Sequence, residues 1–324
     1  MNDYLMELFK YTIGKGNKGL IYPLVKEGIV SEKSVVKTIN DADIESKEKS
    51  KYALELAKEL KDVPIKELED IVVNANDVKD EFAKYVKWAD VNRLSKAVVE
   101  SKDAYQVTAF AREVKGVCIN DLAKEVINLH DGRAIYTFAY SVKGAPIKEL
   151  EKSMCDPETY NTNFAYDFAK NVSANDVEGL TNAVIKGESI QDMIAFARDI
   201  KGANIRKIEN AIIKNGNARD IYEFTKEVPR ANKKKLTKAF MNSVYFEEES
   251  AEQGTVRIRG WAIAPKPVTV RIFDADKKPV AAEIQRTDRV DVNQLFEETQ
   301  DPGKTGFFSE ITNVSGKCLY VVFY

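Results

Sequence analysis

The side chains able to do covalent or acid–base chemistry are few and scattered. The 324-residue chain carries one histidine, His130, and three cysteines, Cys118, Cys155 and Cys318. A single imidazole excludes catalysis by two histidines and any metal site with several histidine ligands. The cysteines show neither CxxC spacing nor Cys/His clustering, so they give no zinc framework and no disulfide scaffold; free thiols fit a reducing compartment. No histidine lies near Cys118 or Cys155 to raise a thiolate nucleophile.

Two Asp-x-Asp strings, Asp41-Ala42-Asp43 and Asp274-Ala275-Asp276, have the spacing that holds a divalent metal on a sugar-nucleotide diphosphate. That chemistry needs a Rossmann-like domain, and the pattern here has none. Asp274 and Asp276 sit in a predicted hairpin turn, where aspartate is expected for its own hydrogen bonding. Gly14-Lys15-Gly16 lacks the preceding strand of a phosphate loop, and GxGxxG, GxSxG and HExxH are absent. His130 falls one residue before the N-cap Asp131, in the slot Lys102 fills one repeat earlier, and reads as a surface or capping residue. The expectation is a protein with no catalytic residues, no metal and no cofactor.

What must position any binding group is set by composition and repetition. Lys and Arg number 49 against 51 Asp and Glu; 44% hydrophobic and 31% charged residues describe a soluble, globular chain long enough for two domains. The first twenty residues show no uninterrupted apolar stretch with a cleavage site, and no run approaches 18 apolar residues, so a cytoplasmic protein with no membrane span is expected.

One phrase recurs: EFAKYVK, AFAREVKG, TFAYSVKG, DFAKNV, AFARDIKG, EFTKEVP. Its small residue falls at Ala57, Ala83, Ala111, Ala139, Ala169, Ala197 and Thr225, in steps of 26, 28, 28, 30, 28 and 28. A second column eleven residues on, Leu68, Leu94, Leu122, Leu150, Leu180, Ile208 and Leu236, keeps the same steps. Two columns in one register indicate about seven tandem units of 28 residues. In six of them an aromatic before the small residue (Phe82, Phe110, Phe138, Phe168, Phe196, Phe224), with Leu56 in the first unit, shares a helical face with an aliphatic four later. The columns Leu68 to Leu236, Val72 to Phe240 and Val73 to Met241 stripe a second helix. Asp103, Asp131, Asn161, Ser189 and Asn217 are N-cap types at the first helix, and Gly116, Gly144 and Gly202 are expected as its left-handed C-terminal residue. The 30-residue step places a longer loop at Cys155–Tyr160. The predicted architecture is a helical cap (1–44), an α-solenoid of helical hairpins (45–245), a linker (246–253) and a small antiparallel β-sandwich (254–324).

A cationic column follows the small residue: Lys58, Lys84, Arg112, Lys170, Arg198 and Lys226, with Tyr140 in place of one. Three residues further stand Lys61, Lys87, Lys115, Lys143 and Lys201. These i, i+3 neighbours make a ridge running along the array, a candidate partner-binding face (Lys58, Lys84, Arg112, Lys115, Lys143, Lys170, Arg198, Lys201) for an acidic protein, a nucleic acid or a phosphorylated glycan. The bland alternative is macrodipole complementation at helix C-termini, and the net charge of +1 over residues 1–245 makes nucleic acid an unlikely partner.

After Tyr245 the pattern changes from helical to strand-like. Strands are expected at 255–262, 268–274, 280–284, 307–314 and 318–324, between turns rich in Pro, Gly, Asp and Lys. Within them stand Gly260-Trp261-Ala262, Val268-x-Val270-x-Ile272, Arg289-x-Asp291-Val292, Phe296 and Gly306-Phe307. In this order the motifs resemble the small β-sandwich accessory domain of Gram-positive bacterial family-2-type glycosyltransferases. The resemblance covers 254–324 and implies a link to surface-glycan assembly or carbohydrate binding. A ligand site there would use Trp261, Arg271, Arg289 and Asp291. Read without the resemblance, Trp261 is a core aromatic, and Arg289 and Asp291 pair with each other or cap a short helix at Gln294-Leu295-Phe296.

These readings combine into a non-enzymatic binding or scaffold protein: helical repeats as a protein-interaction surface, and the β region as a carbohydrate-binding or glycosyltransferase-associated module. An accessory subunit of glycan synthesis and nucleic-acid binding along the ridge remain the alternatives.

Overall fold

The computed structural model describes residues 11, 21–27, 29–60, 63–75, 77–240, 243–252, 255–263, 269–274, 277–295, 306–311 and 320–323. Gly14, Lys15, Gly16, Lys61, Met241, Val268, Ala275, Asp276, Phe296 and Cys318 lie outside the described residues. The protein is mostly helical, with antiparallel β structure at the C-terminal end. No helix among the described residues is long and apolar enough to cross a membrane.

Helices α1 (Ile21–Lys26) and α2 (Glu32–Asp41) lead into pairs that keep the sequence register. The first pairs are α3 (Ser46–Glu59) with α4 (Ile65–Val73), and α5 (Lys79–Tyr85) with α6 (Val91–Glu100). Then come α7 (Ala104–Glu113) with α8 (Ile119–Asn128), and α9 (Gly132–Ser141) with α10 (Ile147–Met154). The last three pairs are α11 (Ala165–Asn171) with α12 (Val177–Lys186), α13 (Ile190–Asp199) with α14 (Ile205–Asn215), and α15 (Ala218–Glu227) with α16 (Lys233–Phe240).

The two columns are the core. Phe82, Phe110, Phe138, Phe168, Phe196 and Phe224 have no exposed surface, and neither do Leu68, Leu94, Leu150, Leu180, Ile208 and Leu236. Full burial of such a side chain contributes about 1.5–3 kcal/mol, and no single hairpin could provide it. Two compact units divide the chain: Met1–Thr162 with Asn171–Ser173, and Asn163–Lys170 with Ala174–Tyr324. In the first unit α5 packs on α7 and α7 on α9, while α4 packs on α6 and α8 on α10. In the second, α13 packs on α15, α12 on α14 and α14 on α16. First helices thus meet first helices and second meet second, the neighbour pattern that equal repeats demand.

The expected caps form at Asp103, Asp131, Ser189 and Asn217, whose side chains accept backbone N–H bonds from the first turn. Gly116, Gly144 and Gly202 have φ of 83°, 83° and 90°, but they do not cap the helix directly. The helix stops one step earlier on an extended aliphatic residue, Val114, Val142 or Ile200. The glycine then takes the third position of a β-turn closed by Ala145 N–H to Val142 O (3.2 Å) and Ala203 N–H to Ile200 O (3.2 Å). That slot needs positive φ.

The C-terminal end differs from expectation at its start. Residues 246–252, read as a linker because they are acidic and small, belong to β1 (Ser243–Glu252), which pairs antiparallel with β2 (Thr255–Ile263). The expected boundary at 245/246 falls inside that strand. With β5 (Gly306–Ile311) and β4 (Gln285–Thr287) these strands form a sheet of order β1-β2-β5-β4, and β3 (Val270–Phe273) pairs with β6 (Tyr320–Phe323). Residues 280–284 are not a strand. Their alternation reflects one-sided burial: Val280, Ala282 and Ile284 pack on a core of Ile258, Ile272 and Ile311. A short helix, α17 (Val290–Leu295), starts four residues before the expected QLF position and includes Gln294 and Leu295; it packs on α15, as does β1.

Candidate functional site

The cationic column ends the first helix of each pair, where the small residue beside it brings helices close. In the first unit Lys58 Nζ lies 3.8 Å from Glu81, Lys84 Nζ lies 2.7 Å from Glu113, and Arg112 Nε reaches the same Glu113 at 2.9 Å. In the second, Lys170 Nζ meets Asp199 at 3.3 Å and the Tyr166 hydroxyl at 2.8 Å; Arg198 meets Asp199 at 2.7 Å and Glu227 at 2.6 Å. For Lys58, Lys84, Lys170 and Arg198 a partner is an acid of the following repeat, while Arg112 pairs with Glu113 of its own repeat and Arg198 also with Asp199 of its own. Hydrogen bonding to Glu113 raises the Lys84 ammonium, and the bonds from Lys84 and Arg112 hold the Glu113 carboxyl below its ordinary range. Asp199 is held well below that range by Arg198 and Tyr166.

The ridge is therefore not one uniform cationic face. Its first column is a ladder of ion pairs between repeats. Its second column is different: Lys115, Lys143 and Lys201 are exposed and make no ion pair among the described residues.

One turn departs from the others. Trp88 occupies the slot that glycine fills at 116, 144 and 202, with φ of 74° and Ala89 N–H bonded to Val86 O at 3.3 Å. Glycine in this slot is not required by space, since a Cβ built at Gly116 or Gly144 meets nothing within 4 Å. The cost at Trp88 is purely conformational. Its ring is 81% exposed. Beside it Tyr85 is 54% exposed, with Lys58 Nζ 4.4 Å and Lys84 Nζ 5.1 Å from its ring centroid, and Lys87 Nζ lies 4.9 Å from the Trp88 ring. Two rings and three ammonium groups thus share one patch, which suits an acidic ligand with an apolar anchor point. The signal was in the sequence: Trp88 stands in a column that holds glycine in three of the other six repeats, at 116, 144 and 202.

The proposed ligand residues of the β region form an internal junction. Trp261 on β2 is completely buried, which corrects its assignment to a ligand site: no ring face is left for a sugar. It packs on Tyr222 of α15 with centroids 5.3 Å apart. Arg289 is bonded to Asp291 (2.7 and 2.9 Å) and to Glu247 of β1, and Asp291 accepts from the Tyr222 hydroxyl at 3.1 Å. Arg289 pulls the Asp291 carboxyl well below the ordinary range, while burial, reinforced by Asp291, raises the Tyr222 phenol. Gly306 serves close approach here, because a Cβ would collide with Thr287 Oγ1 and meet Arg289 Cγ at 2.7 Å. Arg271 stands apart, exposed on β3 in the other ladder.

The chemical candidates fall where turns and caps need them. Asp274 Oδ1 accepts from Lys278 N–H at 2.8 Å in a hairpin turn, and Asp41 ends α2. Cys118 is an exposed cysteine at the N-cap of α8 and Cys155 a half-buried one at the end of α10, and neither is in a disulfide among the described residues. A further recurrence went unread in the sequence: Glu69, Glu151 and Glu209, each directly after the Leu/Ile column, are buried acids. Glu69 accepts from Asp90 N–H at 2.8 Å, and Glu209 from Asn232 N–H at 2.6 Å. No family model, no curated protein and no solved structure matches this chain.

Proposed function

We propose that the chain is a non-enzymatic scaffold whose hairpins stack as an α-solenoid and bind a protein partner through the Trp88–Tyr85 patch. The observation that carries this reading is Trp88: an 81% exposed tryptophan in a left-handed turn position where three sister repeats use glycine. Strain together with solvent-exposed apolar surface is maintained most simply by a partner that covers the ring. Lys87 beside the Trp88 ring, which makes no ion pair among the described residues, favours an acidic segment. The free column of Lys115, Lys143 and Lys201 extends the same preference, whereas pairing in the first column weighs against nucleic acid.

For the β region we infer a small sandwich that caps the last repeat through Trp261, Tyr222, Arg289 and Asp291. Its association with glycan-synthesis enzymes rests on the ordered motifs alone, and carbohydrate stacking on Trp261 is set aside because that ring is buried.

The test compares the full wild-type chain with Trp88→Gly and Tyr85→Ala as immobilised baits, with Lys207→Ala as a surface control. A partner retained by wild type and control but lost from both patch variants supports the reading. Identical retained sets for all four baits would sink it.

A further inference from the structure

The single histidine stands in the turn before α9 with φ of 51°, in the slot held by Lys102 (54°) and Glu188 (58°) in other repeats. Only here does an enlarged loop, residues 155–160, come back against that turn. Tyr160 N–H donates to His130 O at 2.8 Å, and Gly132 N–H donates to Tyr160 O at 2.9 Å. Asn161 Nδ2 donates to Asp131 Oδ1 at 3.0 Å, and the buried Thr159 hydroxyl donates to Ser153 O at 2.7 Å. Gly132 permits the approach, since a Cβ there would lie 2.6 Å from the Asn161 carbonyl oxygen.

The fastened loop brings Asp156 and Glu158 to the histidine. An imidazole nitrogen of His130 and one carboxylate oxygen from each acid all lie within 4.8 Å of one another. Two further observations point to a ligand. His130 Nδ1 is buried and has no hydrogen-bond partner. Among the described residues no Lys or Arg pairs with either carboxylate; the one contact is Glu158 N–H to Asp156 Oδ1 at 2.8 Å. Two acids gathered without a cation, beside an imidazole that has one buried nitrogen without a partner, form a set that a dication completes.

We infer that His130, Asp156 and Glu158 bind a divalent transition cation of the Zn²⁺ class, which pins the long loop to the turn before α9. A nitrogen donor separates this set from the all-oxygen preference of Mg²⁺ and Ca²⁺, and three protein ligands leave coordination positions for water. Counting histidines excludes a multi-histidine site but not this one, because the two acids come from a loop 26 and 28 residues away in the chain.

The full chain, stripped with chelator, is titrated with ZnCl₂ by calorimetry at pH 7.5. One equivalent of Zn²⁺ is expected to bind. His130→Gln should abolish binding, and Asp156→Asn and Glu158→Gln should each weaken it about tenfold or more. Glu158 is exposed, so its variant folds normally and keeps the test decisive. Cys118→Ser and Cys155→Ser should leave binding intact. The lone imidazole should shift on Zn²⁺ addition in a long-range ¹H–¹⁵N spectrum. Absence of stoichiometric uptake, uptake unchanged in His130→Gln, or uptake lost in a cysteine variant each overturns the assignment.

Discussion

The backbone N–H of Asn232 donates to the buried carboxylate of Glu209 across 2.6 Å, tying the start of α16 to α14. Lys235 closes the other oxygen at 3.2 Å. The same tie joins Glu69 to Asp90 N–H, with Arg93 completing the charge. Where the next helix starts on Pro146, which has no N–H to satisfy, the acceptor position is Ala123. Donor and acceptor are absent together. Glu209→Ala should therefore destabilise the protein by about 1.5–3 kcal/mol, because it removes the charge-assisted bonds that a buried carboxylate accepts from Asn232 N–H and Lys235. Ala123→Glu should destabilise it by about 3 kcal/mol or more, since a carboxylate is buried with nothing to receive it. Urea unfolding of both variants checks the pair; a tolerated Ala123→Glu would refute the role assigned to this column.

The register of the repeats makes a second prediction. Phe138 has no exposed surface and Lys143, five residues on, is exposed. Phe138→Ala should cost about 3–5 kcal/mol and Lys143→Ala should lie within about ±0.5 kcal/mol. Equal shifts in the urea midpoint would mean that the helical faces are wrongly drawn.

Repetition made the helical part legible. A column sampled seven times averages out local irregularity, so the Phe and Leu positions, four of the five N-caps and the long loop at 155–160 stand where the spacing put them; Asn161, the fifth, has a left-handed backbone (φ 53°) and donates its side-chain N–H to Asp131 instead of capping a helix. The glycines were located correctly and misread in role, because a left-handed residue looks the same in sequence whether it ends a helix or turns two residues later. β1 was missed for a physical reason: its Glu-rich, small-residue composition is poor in β-branched residues, and its place is set by pairing with β2. The junction of Trp261, Arg289 and Asp291 with Tyr222 was half legible. Pairing of Arg289 with Asp291 follows from their spacing, but contact with a helix some seventy residues earlier has no local signal.

That junction sets a pH dependence. Asp291 is held below its ordinary carboxylate range mainly by hydrogen bonding from Arg289, opposed by partial burial. A depressed folded value means that its contribution is full above the unfolded carboxylate value near about 3.9 and is lost as pH falls through the folded one. Wild type should thus exceed Asp291→Asn in stability at pH 7, and the gap should narrow only below about pH 4. Emission from Trp261, buried in the same contact, reports the transition. A gap that stays constant from pH 7 to pH 2.5 would show that Asp291 does not carry the linkage.

Trp88 allows strain and binding to be separated. A residue with a side chain in the left-handed region costs about 1–2 kcal/mol, and glycine gives back about 0.4–1 kcal/mol in unfolded-state entropy. Trp88→Gly should therefore range from neutral to about 1 kcal/mol more stable than wild type. Gly144→Ala, in open space at φ of 83°, should lose about 1 kcal/mol for the same backbone reason. Spectroscopy is unambiguous because the chain has two tryptophans, one 81% exposed and the other fully buried. Acrylamide should quench a large part of wild-type emission and little of Trp88→Gly, and a bound partner should remove that quenchable part in wild type. A Trp88→Gly chain that is less stable than wild type would show that the ring supports the fold, and the case for a binding anchor would fall with it.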